Sequence, residues 1–443
     1  MKEKAFYVSA FLRALAEGLI SPFLPVFALS LNASKTLIGL LSSLPNISGL
    51  FSQLIFSNLA EFFKKKFLII LGSILWAFFW IPIAYVKDPV HLIILISLQS
   101  IFYSISIPAW TALFIQSTSS YKRGRITGFL NTWSGIGSFI GNLTAGIILN
   151  KFGFVPFFFS LIFLVGLICR IPFIPFKEFK PRKRTLSRVK NAIKNTFNFS
   201  NLKKNKKFLN FIIAISFLNF SVAIPGPFFS VYLIQKIGGT KLDIAIISAI
   251  GILTAVVFSR SWGTIIDFFG KRVVMVSCLL PISFIPFVYA ISNHVIWLYF
   301  YAIIAQMSWV GFNLAAFAYL SDLLPKENLS SNVAVYNLFT GLSSSVGPFV
   351  GGIIAEFTSI WFVFIVSFIM RSTSIYFFKK LGERPGYKPR GTPYFGIDLS
   401  RIPHGIETFI STYSLVLEEF RKESMGFLSM LEKLRRTLEK RKT

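Results

Sequence analysis

Residues 262–272 read Trp-Gly-Thr-Ile-Ile-Asp-Phe-Phe-Gly-Lys-Arg. This stretch separates two long apolar runs, residues 242–266 and 273–291. The connection is so short that it predicts a tight hairpin between two helices that cross a membrane one after the other. A glycine, a carboxylate, a second glycine and two cations are therefore placed at or near the membrane surface: Gly263, Asp267, Gly270, Lys271 and Arg272.

The rest of the chain has the composition of an integral membrane protein. Of its 443 residues, 54% are hydrophobic and 14% are charged, and apolar runs of 18 or more residues recur along its length. Because backbone polar groups in lipid need partners within the segment, such runs predict helices and not barrel strands. We predict an all-α membrane protein with twelve spans, at 6–30, 36–59, 67–86, 91–117, 126–149, 154–176, 208–235, 242–266, 272–291, 295–320, 331–355 and 359–379.

The net charge of +28 is distributed as in a membrane protein, not as in a nucleic-acid-binding protein. Clusters of Lys and Arg occupy alternate loops, at 64–66, 122–125, 177–207 and 271–272, while the loops between them carry an isolated lysine or two. This asymmetry predicts a multi-pass protein of the cell membrane with both termini in the cytoplasm. The 177–207 loop, with twelve Lys or Arg and one Glu, is expected to contact anionic lipid headgroups.

Sequence patterns for enzymes and for bound metals or cofactors are missing from the chain. Cys169 and Cys278 both lie inside apolar runs, the three histidines are scattered, and no nucleotide-binding loop occurs. We therefore expect neither a metal nor a cofactor, and no enzymatic activity.

The two halves of the chain repeat each other at an offset of 206 residues. The repeat predicts two pseudo-symmetric six-helix bundles, 1–176 and 208–380, joined by the linker 177–207. The matched pairs are Lys35 and Lys241, Glu61 and Asp267, Asn131 and Asn337, Gly135 and Gly341, Gly141 and Gly347, and Gly146 and Gly352. The tail, 381–443, has a heptad-like apolar seam that predicts a cytoplasmic amphipathic helix, packed under the bundles, lying on the membrane or forming a coiled coil.

The pattern Gly-x-x-x-Asp-x-x-Gly-Lys-Arg between consecutive spans resembles the loop signature of major facilitator superfamily transporters. The resemblance, which covers residues from about 6 to 380, implies that a small molecule binds between the two halves near the middle of the membrane. It also implies that Asp267 stabilises one access state near a helix N-terminus of the other half; the alternative is a solvated turn that only sets topology. In the first half the signature keeps Glu61 but replaces the turn glycine by Lys64.

Small residues in the fifth and eleventh spans resemble the antiporter signature of drug-exporting facilitators. Spacing of this kind also permits close helix packing, and the sequence does not separate the two readings. The residues concerned are Gly137, Gly141 and Gly146 in the fifth span, with Asn142 in place of the signature proline, and Gly347, Pro348, Gly351 and Gly352 in the eleventh.

Charged and polar residues inside the spans are candidates for substrate and ion binding. Arg13 and Glu17 are four apart on one helix face, where they can pair and where Glu17 could carry a coupling proton. Arg170 and Arg371 are expected to extend toward the membrane surface. By the resemblance, spans one, four, seven and ten line the cavity, although interhelical hydrogen bonds are an equal alternative for their polar residues: Gln99, Ser106, Trp110, Asn219, Gln306, Trp309 and Asn313.

These features predict a secondary transporter that works by alternating access. The first expectation is proton-coupled efflux of an amphipathic compound, because the candidate cavity residues are amides, hydroxyls and aromatics. Uptake of a small polar solute by proton symport is the alternative within transport. A sensor or scaffold of the same fold is a third reading, although such a protein has no need of the loop signature or of an inward-facing ion pair.

The topology can be tested with single cysteines in a variant that lacks Cys169 and Cys278. A cysteine in the 177–207 loop should react with an impermeant maleimide only from the cytoplasmic side of oriented vesicles, and one at Lys35 or Lys151 only from the outside. Labelling of the loop from the outside would overturn the predicted orientation.

Overall fold

The chain is described here from a computed structural model. It covers residues 2–59, 64–118, 123–173, 205–324 and 329–382 and two isolated positions, 414 and 418. Over these residues it forms sixteen α-helices: α1 Lys2–Ile20, α2 Leu24–Ser30, α3 Lys35–Leu59, α4 Lys65–Phe78, α5 Trp80–Ile83, α6 Pro89–Ser104, α7 Ser106–Ser117, α8 Arg123–Phe152, α9 Pro156–Ile168, α10 Lys206–Ala223, α11 Phe228–Gln235, α12 Lys241–Phe269, α13 Lys271–Ile291, α14 Val295–Leu323, α15 Leu329–Phe357 and α16 Ile360–Lys379.

The helices make twelve spans, because four spans are each divided into two helices. Breaks occur near prolines, which lack the backbone N–H that a continuous helix needs; they separate α1 from α2, α4 from α5, α6 from α7 and α10 from α11. Ten described segments are long and apolar enough to cross a membrane. The second span, α3, and the fifth, α8, complete the predicted set, and the twelve-span, two-bundle fold is confirmed.

Parts of the predicted organisation lie outside the described residues. They include Glu61, the linker 177–207 except its last three positions, and the C-terminal tail 381–443 apart from Leu381, Gly382, Ser414 and Glu418. The domain boundaries and the amphipathic tail helix therefore stay predictions.

A buried arginine connects three spans in each half. Arg170, at the end of the sixth span, donates from Nε to Ser73 Oγ (2.8 Å) and from Nη1 to Ser9 Oγ (2.9 Å), which lie on the third and first spans. Arg371, in the twelfth span, donates to backbone oxygens of the ninth and seventh spans, Ile282 O at 3.0 Å and Val222 O at 3.4 Å. The two side chains are 4% and 1% exposed, so the expectation that they extend to the surface is wrong. Their partners lie inside the bundle and not at its rim.

Backbone carbonyls near prolines explain the position of Arg371. Pro286 has no N–H to donate to Ile282 O, and Arg371 Nη1 donates to that oxygen instead, at 3.0 Å. In the same way, Pro225 leaves Ser221 O without its helical donor, and Ser367 Oγ supplies the hydrogen bond at 2.7 Å. Side chains on neighbouring spans thus supply backbone hydrogen bonds that prolines remove, in the continuous ninth span and in the divided seventh span.

The two halves share one apolar core at one end of the bundle and have separate cores at the other. The shared core includes Phe27 and Leu149 of the first half and Ala245 and Phe364 of the second; we call this end the paired end. At the opposite end, which we call the motif end because it carries the Gly270 turn, each half has a core of its own. Over the described residues, the apolar core that both halves share therefore lies at the paired end.

Candidate functional site

Two neighbouring cavities lie between the spans, and we refer to them as the two compartments of a cleft. The larger, about 940 Å³, is bounded by spans five, eight, nine and ten, and the smaller, about 440 Å³, by spans one, four, five and six. Asn131 of α8 lines both, so the two compartments are adjacent at this residue. The wall of the larger compartment is mainly apolar with a few hydrogen-bonding groups, and its aromatic and amide residues are Phe129, Asn131, Tyr289, Tyr301, Gln306 and Trp309. Such a surface suits an amphipathic ligand.

An ion pair lies in the smaller compartment. Arg13 donates from Nε to Glu17 Oε1 at 2.9 Å, and its Nη2 lies 2.9 Å from the same oxygen in an ion pair. Its guanidinium lies 4.6 Å from the centre of the Tyr103 ring. The two side chains, 35% and 43% exposed, are open to the cavity. The pair follows from their spacing of four residues on α1, which places both on one helix face.

Three of the other predicted cavity residues line the cleft. Trp110 lies in the smaller compartment, stacked on Phe114 with ring centres 5.4 Å apart. Gln306 and Trp309 lie in the larger one. Asn219, which is half-buried, and Asn313, which is exposed, lie outside both compartments.

The prediction that Gln99 and Ser106 line the cavity is corrected by the structure. Both side chains lie in contacts between helices, and neither lines the cleft. Gln99 is 4% exposed and donates from Nε2 to Trp76 O at 2.8 Å, next to the break between α4 and α5. Ser106 is 1% exposed and donates to Tyr103 O at 2.8 Å, beside the break at Ile105. Each satisfies a backbone oxygen where a helix is interrupted, which is the interhelical role that hydropathy does not distinguish from ligand binding.

The fifth span contributes more to the cleft than the resemblance implies. Arg125, Asn131 and Thr132 of α8 line the larger compartment, and Asn131 also lines the smaller one. Arg170 lines the smaller compartment from the end of the sixth span. The sequence contains a signal for Asn131, because the 206-residue repeat places Asn337 at the matching position. The fifth span was interpreted from its glycines, which predict helix packing, and Asn131 was not among the predicted cavity residues.

The Gly270 turn is tied to the ends of neighbouring spans. Gly270 has φ +94° and ψ 154°, a backbone conformation that favours glycine. The next residue, Lys271, places Nζ 2.5 Å from Asp322 Oδ2 and donates to Ala318 O at 3.3 Å, both on α14. Sequence reasoning missed Asp322, which lies 51 residues away.

The other members of the loop signature occupy the same surface. Arg272 donates from Nη1 to Leu381 O at 3.0 Å, just beyond the twelfth span. Asp267 is exposed near the end of α12, and a Cβ added to Gly263 would meet no other atom within 4 Å. A gating role for Asp267 stays a prediction.

At the paired end, two lysines join the halves in a two-fold arrangement. Lys35 Nζ donates to Ala355 O at 2.8 Å, and Lys241 Nζ donates to Leu149 O at 3.2 Å. Both donors and both acceptors are related by the 206-residue offset, so the two contacts are copies of each other. We call this pair of contacts, Lys35 with Ala355 and Lys241 with Leu149, the lysine latch. Carbonyls of a last helical turn attract cations, because the negative end of the helix dipole lies there.

Glycines of the fifth and eleventh spans pack each half internally. A Cβ on Gly137 would lie 2.3 Å from Phe11 O, and one on Gly351 would lie 2.0 Å from Ile224 O, so neither position accepts a side chain without separating two spans. The same tight contacts with spans one and seven occur at Gly141 and Gly347.

Glycines one turn further along these two spans face the other half. A Cβ on Gly146 would lie 2.4 Å from Ala245 Cβ, and one on Gly352 would lie 2.9 Å from Lys35 O. The carbonyl of Pro348 lies 2.4 Å from a Cβ built on Gly39. These contacts agree with the packing reading of the glycine motif, while an antiporter role stays a prediction.

Comparison with known proteins places the chain in a family. The profile of the Major Facilitator Superfamily matches residues 6–232 and 211–423. Multidrug resistance protein 1 of Bacillus subtilis is 24% identical over 358 residues, which are 78% of this chain and 87% of that protein. The multi-drug resistance efflux pump PmrA homolog of Lactococcus lactis subsp. lactis is 24% identical over 375 residues, 80% of this chain and 88% of that protein.

Solved structures support the same fold. A variant of the nucleoside transporter NupG superposes with a TM-score of 0.73 at 14% identity, over 86% of this chain and 100% of that one. A bacterial homolog of the human lysosomal transporter Spinster, in an inward-facing and occupied conformation, superposes with a TM-score of 0.68 at 12% identity, over 85% and 95% of the two chains. With a profile match across both six-helix halves, this chain is a multi-pass membrane protein that belongs to the Major Facilitator Superfamily of transporters.

Proposed function

We propose that this protein is a secondary active transporter that exports an amphipathic small molecule from the cell by alternating access, coupled to protons. The observation that carries the proposal is the cleft between the halves, in which an aromatic wall adjoins a compartment with a solvated ion pair. An amphipathic molecule fits both surfaces at once. The names of the similar proteins, a multidrug resistance protein and an efflux pump, support export as the direction.

The lysine latch is the proposed gate on the outer side. The loop charges predict that the motif end faces the cytoplasm. In that orientation the two halves share a core at the outer side, which is closed, and have separate cores at the cytoplasmic side. Opening to the outside then requires that Lys35 and Lys241 release Ala355 O and Leu149 O. Both lysines are only partly buried, so water can replace the lost hydrogen bonds at modest cost.

Glu17 is the proposed carrier of the coupling proton. It is a carboxylate inside the first span, it faces the cleft, and its partner Arg13 engages only one of its two oxygens. A carboxylate in such a place can exchange a proton with water while the cleft is open to one side. The competing explanation is a permanent ion pair that only stabilises the first span.

Proton-coupled uptake is the second candidate, and the charge of the cleft favours it. Three arginines and one carboxylate line the two described compartments: Arg13, Arg125, Arg170 and Glu17. Protonation of Glu17 would leave Arg13 available to an anionic solute, so that proton and solute would bind together, as in a symporter.

Transport by Glu17→Gln protein in proteoliposomes tests the coupling. We expect the variant to lose accumulation of a fluorescent amphipathic dye driven by a pH gradient, yet to keep exchange within about threefold of wild type, because glutamine retains the size and a hydrogen-bonding oxygen. The matched control is Glu356→Gln, which removes a carboxylate at the paired end while keeping an oxygen for Thr36 N. The direction of gradient that drives accumulation distinguishes export from uptake.

Two outcomes would contradict this role for Glu17. Gradient-driven accumulation by a well-folded Glu17→Gln protein would exclude it as the coupling residue. A joint loss of accumulation, exchange and thermal stability would instead show that the ion pair serves only to stabilise the first span.

Replacement of the latch lysines tests the outer gate. Lys35→Met and Lys241→Met keep a long side chain but remove the donor, and each should destabilise the closed paired end by about 1 kcal/mol. In a variant without native cysteines, a cysteine at Ile38, which is buried beside Lys35, should then react with a thiol reagent about fivefold faster for each lysine removed. Lys236→Met, an exposed lysine at the same end, is the control. Equal rates in the latch and control variants would exclude the latch as a gate.

A further inference from the structure

The described lining of the cleft carries more positive than negative charge. Arg13 and Arg170 face the smaller compartment and Arg125 the larger one, against the single carboxylate of Glu17. Among the residues that line the two compartments, the other polar groups are uncharged amides, hydroxyls and phenols. With Glu17 ionised, the smaller compartment has a net charge of about +1, from two arginines and one carboxylate within the spans, and Arg125, exposed in the first turn of α8, adds a cation to the larger compartment.

Arg170 and Arg13 share the single carboxylate of this compartment, Glu17, which is already paired with Arg13. The side chain of Arg170 is 4% exposed, and the hydrogen bonds described for it go to the neutral hydroxyls of Ser9 and Ser73. Neutral acceptors orient the guanidinium but do not balance its charge. The edge of Arg170 that lines the smaller compartment is therefore a place where a negative group would be stabilised strongly.

Arg13 offers a hydrogen-bonding surface in the same compartment. Its Nε donates to one oxygen of Glu17 and its Nη2 lies 2.9 Å from the same oxygen, while in the described part of the chain Nη1 makes no hydrogen bond. The ring of Tyr103 under the guanidinium holds its plane in place. A planar guanidinium held in this way matches the oxygens of a carboxylate, sulfonate or phosphate group.

We propose that the cleft selects amphipathic organic anions, with the acidic group bound by Arg13 and Arg170 and the apolar body extending past Trp110 and Asn131 into the larger compartment. Trp110 lies in the same compartment as both arginines, and Asn131 lines both compartments. Phe129 and Trp309 line the larger compartment and face the apolar body of the ligand. Transport of such an anion rests on the proposed function, whereas its binding does not.

Binding of three compounds with one apolar body and different charges tests this selectivity. Naphthalene-1-sulfonate, 1-naphthylmethanol and 1-naphthylmethylammonium would be measured by equilibrium dialysis against the full chain in nanodiscs, with empty nanodiscs subtracted. We expect the sulfonate to bind at least about tenfold more tightly than either of the others. Equal or tighter binding of the ammonium compound would overturn the proposal.

Variants of Arg13 locate the anion. Arg13→Gln should weaken sulfonate binding about tenfold and leave the alcohol unchanged, Arg13→Lys should fall between Gln and wild type, and Lys236→Gln should bind as wild type. An unchanged sulfonate affinity in folded Arg13→Gln and Arg13→Lys proteins would place the anion elsewhere and overturn the proposal.

Exchange assays in proteoliposomes separate this proposal from the proposed function. Tight sulfonate binding without exchange of the bound compound would contradict transport while supporting the anion site. Exchange of the ammonium compound but not of the sulfonate would support transport and contradict the anion site.

Discussion

Backbone carbonyls that lack a helical donor must find another one in the membrane, and this requirement organises the polar residues of the protein. Prolines remove backbone donors from divided and from continuous spans, and side chains of neighbouring spans supply the missing hydrogen bonds. Ser367 does so for Ser221 O in the divided seventh span, and Arg371 for Ile282 O in the continuous ninth span. Gln99, which resembles a ligand-binding residue by its position, serves Trp76 O beside a broken helix. Most buried polar side chains in the described spans thus have a structural role. The polar side chains that face the cleft are the exceptions.

The lysine latch uses the same interaction between the two halves instead of within one. Lys35 and Lys241 donate to carbonyls in the last turns of α15 and α8, where the helix dipole adds to the attraction. Their position differs from that of Arg371 in one respect, since they are only partly buried. A contact that water can replace can break and re-form during each cycle, whereas the buried arginine contacts hold each half together as a rigid unit. The two contacts of the lysine latch are related by the 206-residue repeat, so both are copies of one ancestral contact.

More of the fold than of the candidate site could be predicted from the sequence. Apolar runs predicted the spans, the repeat predicted two similar halves, and four-residue spacing predicted a shared helix face for Arg13 and Glu17. The contacts missed from the sequence join distant residues, such as Lys271 with Asp322 and Lys35 with Ala355, 320 positions apart. Helical periodicity indicates which residues share a face, but not which neighbour that face meets, so Gln99 and Ser106 were placed in the cavity and Asn131 was not.

The central claim is that the two halves close at one end when they open at the other. Pulsed electron resonance distances between spin labels measure both ends in lipid nanodiscs, with labels at Phe152 and Phe357 for the paired end and at Gln116 and Ser321 for the motif end, all exposed. The account predicts two populations, one short at the paired end and long at the motif end, the other reversed, and a shift toward the second in the Lys35→Met, Lys241→Met double variant. Distances that change at one end only, or that stay the same in the double variant, would contradict it.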